Sequence, residues 1–281
     1  MNEILREYYD IKIDYYREYN DGIVFFVNGD YFYFFKTVLS SIDVESLYKI
    51  YLSLKRRGIV LHDYVFNNNN EILSNQYVLI KLNYLITDID ISDISRLSVM
   101  LNEDVDLKDD FINNWLTKID YLEKQVVELS NNQLVNNSFD YFIGIAEALL
   151  TFYQDNYSNN NDNYLVHTCF KTLNTIDFYN PISLSVGNKY KDIVSYIKLT
   201  NNWELLDSIL DVVDINDRFY IFIRLCFPFE YFLTVNSFLV DSTDEKEILN
   251  IINRLDEYER YLNKIDDLFE YKLFYWTKKD N

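Results

Sequence analysis

The spacing of apolar and polar positions changes along the chain, and the change divides it. Ile23 to Val27 and Tyr31 to Val38 are dense in Val, Phe and Tyr and flank Asn28-Gly29-Asp30, the composition of two strands around a tight hairpin turn. From Ser41 to Arg57 the spacing becomes helical. Val44, Leu47, Tyr48, Tyr51, Leu52 and Leu54 fall mainly on one face, with Asp43 and Glu45 near the start, Arg56 and Arg57 near the end and Gly58 just beyond. Short strand-like runs follow at Tyr64 to Phe66, Glu71 to Leu73 and Gln76 to Leu82, with a polar turn around Asn67 to Asn70. The order strand, strand, helix, strands predicts a small β-sheet lobe over residues 1–83.

Beyond Asn83 the helical period dominates, and residues 84–281 are predicted to form a larger helical lobe. Asp109 to Leu129 places Phe111, Trp115, Ile119, Leu122 and Val126 at spacings of three and four, and Phe139 to Tyr153 carries another compact apolar face. Helical stretches follow from about Lys189, then at Trp203 to Val213, Asp217 to Phe238 and Glu245 to Phe269. The most apolar run, Phe219 to Val235, is interrupted by Arg224, Pro228 and Glu230 and is shorter than the roughly 20 residues a membrane span needs. It reads as a buried helix pair or a kinked helix.

Composition narrows the chemistry. The 281 residues are 49% apolar and 17% aromatic, enough for a substantial core, and 45 Asp and Glu against 26 Lys and Arg leave a net charge of -19. That charge disfavours nucleic acid and anionic membrane surfaces as partners. The five glycines, Gly22, Gly29, Gly58, Gly144 and Gly187, lie too far apart for a GxGxxG or P-loop cradle. The two histidines, His62 and His167, and the two cysteines, Cys169 and Cys226, show no zinc-ligand spacing and no disulfide framework. The acidic start Met1-Asn2-Glu3 opens no secretory signal, so a reducing, cytoplasmic setting is expected.

Several segments carry a family resemblance. Phe139-Asp140-Tyr141-Phe142-Ile143-Gly144-Ile145-Ala146-Glu147-Ala148, Lys191-Asp192-Ile193-Val194-Ser195-Tyr196-Ile197-Lys198, Arg224-Leu225-Cys226-Phe227-Pro228-Phe229-Glu230-Tyr231-Phe232 and Tyr258-Glu259-Arg260-Tyr261-Leu262 resemble the spore-coat kinase-like proteins of the CotS/YutH type. These stand within the aminoglycoside and choline phosphotransferase superfamily. The resemblance implies an α+β, protein-kinase-like fold with a small strand-rich N-lobe and a larger helical C-lobe, and a place in a spore coat.

The same resemblance assigns the parts of a phosphoryl-transfer site. Active members carry HGDxxxxN followed by a second, metal-binding Asp. Here the matching segment is His167-Thr168-Cys169-Phe170-Lys171-Thr172-Leu173-Asn174, with Cys169 where the base Asp would stand. A thiol supplies no carboxylate-like charge at neutral pH unless its pKa is strongly lowered. Asp177, in Ile176-Asp177-Phe178, resembles the metal-binding element, but only Thr175 and Ile176 separate it from Asn174 where active enzymes have a longer strand and turn. An alternative alignment puts Asn180 at the metal position, and its neutral amide is a weaker magnesium ligand. Lys36 would be the ATP-phosphate lysine and Glu45 its helix partner, although a surface lysine at a strand end explains Lys36 equally well. Asp192 would hydrogen-bond the catalytic loop, or simply be an acid at a helix start. His167 reads as a core or loop histidine, and both cysteines read as small buried hydrophobes.

Two functions follow. The first is a catalytically silent kinase-like protein that serves as a binding or scaffold module with a protein partner and takes no cofactor. The alternative is a divergent small-molecule phosphotransferase that uses ATP and Mg with Lys36, Asn174 and Asp177 and accepts an amino sugar or choline-like amine.

Overall fold

The computed structural model describes residues 1–84, 86–101, 111–129, 132–157, 163–168, 172–241 and 245–274. In chain order the elements are α1 (Asn2–Tyr9), β1 (Tyr16–Tyr19), β2 (Gly22–Val27), β3 (Asp30–Lys36), α2 (Ser41–Arg56), β4 (Asp63–Val65), β5 (Leu73–Ser74), β6 (Tyr77–Lys81) and α3 (Ile91–Leu97). There follow α4 (Phe111–Leu129), α5 (Gln133–Asn156), β7 (Tyr164–His167), α6 (Thr175–Phe178), a 3-10 turn (Pro181–Ser183), β8 (Leu184–Gly187) and α7 (Lys191–Thr200). The chain ends with α8 (Trp203–Leu210), α9 (Ile215–Cys226), α10 (Phe229–Asp241), α11 (Lys246–Asn253) and α12 (Leu255–Phe269). This is an α+β chain, an antiparallel sheet followed by a mostly helical remainder.

Two compact units form, one from residues 1–109 with 162–200 and the other from 110–161 with 201–281. They cut the chain differently from a boundary at residue 83: Ile89, Ile94, Leu97, Leu101, Leu165 and Ile176 share the core of the sheet. In the first unit the strands are all antiparallel in the order β1-β2-β3-β6-β4, with β5 on β6. The β2–β3 turn places Asn28 and Gly29 at φ 52° and 90°, the positive angles that a tight turn of primed type requires. Helix α2 begins with a reciprocal capping box between Ser40 and Asp43.

Strand alternation sends side chains to two covered faces. Val24, Tyr33, Phe35, Tyr64, Val78 and Ile80 point to one face, where they join Val44, Leu47, Tyr51 and Leu54 of α2 and Leu165, Ile176, Phe178 and Val186 in one core. Ile23, Phe25, Phe34 and Leu79 point to the other and pack on Leu5 and Tyr9 of α1. The first is called here the α2 face and the second the α1 face. The short pair β7–β8 lies in a region expected to be helical. Runs of four residues such as Tyr164–His167 are too short to separate strand from helix by period.

The second unit is helical. The interrupted apolar run resolves into α9 and α10, with Pro228 between them, where a residue lacking an N–H ends one helix and begins the next. Cys226 is fully buried, and the Tyr258 and Tyr261 hydroxyls of α12 donate to the Cys226 and Leu225 carbonyls at 2.7 and 3.2 Å, which fastens the last helix to the end of α9. No helix among the described residues is long and apolar enough to cross a membrane.

Candidate functional site

Of the residues that the sequence marks for chemistry, His167, Asn174, Asp177, Asn180 and Asp192 come together in the first unit. The site begins at the β1–β2 turn, where Tyr19 pairs with Gly22 and only Asn20 and Asp21 lie between. Asn20 takes φ 46°, a left-handed conformation that Asn tolerates better than most residues. Gly22 is required by space. A side-chain carbon there would lie 2.4 Å from the Phe34 carbonyl oxygen and 2.8 Å from the Tyr33 ring. The bare backbone therefore lets Tyr33 lie against it, edge-on to Tyr19 with ring centres 5.6 Å apart and stacked on Phe35 at 4.5 Å.

Opposite this aromatic group stands α6. Asn174 is its N-cap and accepts from the Ile176 backbone N–H at 2.8 Å, and Asp177 is its third residue. Just beyond, Asn180 caps the 3-10 turn and accepts from the Ile182 N–H at 3.1 Å. Asp177 is half-buried and its two oxygens are occupied. Tyr19 donates its hydroxyl to Oδ2 at 2.9 Å, Thr172 donates to the same oxygen at 2.5 Å, and the Asn20 amide lies 3.3 Å from both oxygens. Burial pushes the Tyr19 hydroxyl up to about 12, with the nearby Asp177 charge acting in the same direction. Tyr33 is raised as well, by burial and then by Asp177, so it stays neutral beside the carboxylate.

The backbone of this segment is held from two sides by the histidines. His62 is fully buried before β4. Its Nδ1 accepts from the Asn83 N–H at 3.0 Å, its Nε2–H donates to the Thr175 carbonyl at 3.0 Å, and its own backbone N–H donates to the Tyr179 carbonyl at 3.0 Å. Burial lowers its pKa from 6.5 to about 4, which keeps the ring neutral. At the end of β7, His167 lies in the core with Nδ1 2.8 Å from Asp192 Oδ2 and Nε2 2.6 Å from the Phe178 carbonyl oxygen, its ring stacked on Phe178. The His167 backbone N–H also donates to Asp192, at 3.1 Å to Oδ1. Asp192 sits buried in the first turn of α7.

Other expected residues stand elsewhere. Lys36 is exposed and shares strand parity with Phe34, so it points to the α1 face, where with Glu3, Glu18, Asp21 and Tyr77 it lines an open groove of about 820 Å³. Glu45 is exposed on α2, which covers the opposite face. The expected Lys36–Glu45 pair is therefore not made: alternation along β3 puts the two side chains on opposite sides of the sheet. The β3 side chain that does lie beside Asp177 is Tyr33. Cys169 lies outside the described residues.

Among the described residues, the groups around Asp177 are engaged with one another. Phosphoryl transfer rests on metal ions and a lysine that neutralise phosphate charge. Here the Asp177 oxygens accept from the chain's own donors, the amide oxygens of Asn174 and Asn180 cap turns, and neutral Tyr33 lies close to the carboxylate. Among the described residues no Lys or Arg forms an ion pair with Asp177, and no group of three His, Cys, Asp or Glu could hold a metal ion. The sequence reading missed Tyr19, Asn20, Thr172, Tyr33 and His62. The only signals for them were the turn composition Asn20-Asp21-Gly22 and the alternation of β3.

No family profile matches the sequence, and no curated protein does. Solved structures do match in fold. An aminoglycoside phosphotransferase from Alicyclobacillus acidocaldarius aligns over 94% of each chain with a TM-score of 0.63 at 10% identity. Spectinomycin phosphotransferase, solved with ADP and spectinomycin, aligns over 98% of this chain and 97% of its own with a TM-score of 0.57 at 10% identity. The choline kinase LicA from Streptococcus pneumoniae aligns over 88% and 91% with a TM-score of 0.54 at 11% identity. The chain thus has the fold of aminoglycoside phosphotransferases and choline kinase.

Proposed function

We propose that this chain is a kinase-like protein without phosphoryl-transfer activity, working as a binding or scaffold module for a protein partner. The observation that carries the reading is the state of Asp177, whose oxygens accept from Tyr19, Asn20 and Thr172 while neutral Tyr33, not a lysine, lies beside it. A carboxylate in that setting is already saturated by the chain's own donors, and among the described residues no Lys or Arg pairs with it to balance a triphosphate. The net charge of -19 adds to the mismatch. The reading predicts no thermal shift of the full chain with millimolar ATP and magnesium and no ATP turnover. Turnover that disappears in Asp177→Ala would overturn it.

A second reading, a divergent phosphotransferase for an amino sugar or choline-like acceptor, draws support from the fold neighbours, which are named as aminoglycoside phosphotransferases and a choline kinase. It requires ATP and magnesium to bind, so the same titration separates the two.

A further inference from the structure

We propose that the β1–β2 turn is the resident occupant of the α2-face site, an intramolecular plug latched by Asp177. The proposal rests on the reading that the chain does not use ATP, and it adds a positive role for the carboxylate. Three donors from two distant segments converge on it: the Tyr19 hydroxyl and Asn20 amide from the turn, and the Thr172 hydroxyl from the loop before α6. Tyr19 and Thr172 also approach each other, at 3.5 Å between hydroxyl oxygens. Tyr33 completes the plug from below, edge-on to Tyr19, and Gly22 leaves the space its ring uses.

A two-residue hairpin turn in an edge strand ordinarily frays, since its backbone is open to solvent on one side. This one is tied by side chains to a helix start more than 150 residues away in sequence, Tyr19 and Asp177 being 158 positions apart. Asp177 in turn is fixed by the cap at Asn174 and by the His62 contact to Thr175. The latch therefore joins a flexible element to a braced one. A ligand that is to use the Asp177 oxygens must first displace the Tyr19, Asn20 and Thr172 donors, so the contact is autoinhibitory toward it.

Amide hydrogen exchange of the full chain tests this. In the Tyr19→Phe/Thr172→Val variant, which deletes two hydroxyl donors and leaves the shapes nearly unchanged, the amides of Asn20 to Gly22 are expected to exchange at least about tenfold faster, while α2 keeps its protection. Asp177→Ala is expected to give the same local loss. Unchanged exchange at the turn in both variants would overturn the latch, as would a uniform loss that extends through α2. ADP and magnesium added to the wild type provide the separate check: Asp177-dependent binding would remove the silent-protein reading whatever the exchange shows. Unaltered turn exchange with no nucleotide binding would remove the latch alone.

Discussion

Asp177 and Asp192 lie in the same segment of the chain and carry opposite kinds of work. Asp192 is buried at the first turn of α7 and takes both the backbone N–H and the ring nitrogen of His167, so its partners come from the loop that it braces. Asp177 is half-exposed, and its partners reach it from the start of the chain as well as from Thr172. The first arrangement holds a loop in shape and needs no ligand to make sense. The second joins the carboxylate to hydroxyl and amide donors from two distant stretches of the chain. The lesson is that two nearby acids of one segment do different work: Asp192 braces its own loop through His167, while Asp177 ties the start of the chain to α6.

Removing each acid should expose that difference. Asp192→Ala leaves the His167 N–H and ring without their acceptor inside the core, and the cost is expected to be about 3 kcal/mol in denaturant unfolding, since orphaned buried donors lose their full desolvation compensation. A loss no larger than that of Asp177→Ala would erase the contrast. A smaller effect should come from His62, which braces the Asp177 side. Its folded-state pKa lies below its ordinary value, so the unfolded chain takes up the proton first. The stability it contributes is full above about pH 6.5 and is lost as the pH falls through that value toward about 4. Between pH 7 and pH 5 this amounts to about 2 kcal/mol, and His62→Gln should show a correspondingly flatter pH dependence of unfolding. The smallest effect belongs to the latch itself. Tyr19→Phe should cost about 1 kcal/mol, the net worth of one ordinary hydrogen bond, and a loss equal to that of Asp192→Ala would mean that both acids are structural in the same sense.

Much of the first unit could be read from the sequence because its signals are local. The β2–β3 hairpin announces itself through Asn28-Gly29, and α2 through its apolar stripe and the acids Asp43 and Glu45 near its start. Helix α1 and strand β1 carry weaker signals. Glu3, Arg6 and Glu7 dilute the stripe of the helix, and Tyr-Arg-Glu-Tyr shows no apolar alternation because β1 is an exposed edge. The site was harder, for a physical reason. Asp177, Asn174 and Asp192 could be named from spacing, yet what each one touches depends on contacts far apart in sequence, which no local period encodes. Lys36 is instructive: alternation already groups it with Phe34, but only the packing of α1 and α2 tells which face is which.

The division of the first unit into 1–109 and 162–200 has a consequence for how the molecule is made. The sheet is synthesised early, yet the strand and turns that cover its α2 face, among them Leu165, Ile176 and Phe178, leave the ribosome only after α4 and α5. Until then Tyr33, Phe35 and Ile80 lack that part of their cover, and the Tyr19–Asp177 contact has no second half. Contacts of such long range close slowly, because the chain entropy is lost before the contact rewards it. The same aromatic surface that stabilises the finished protein is thus open to self-association in the nascent chain.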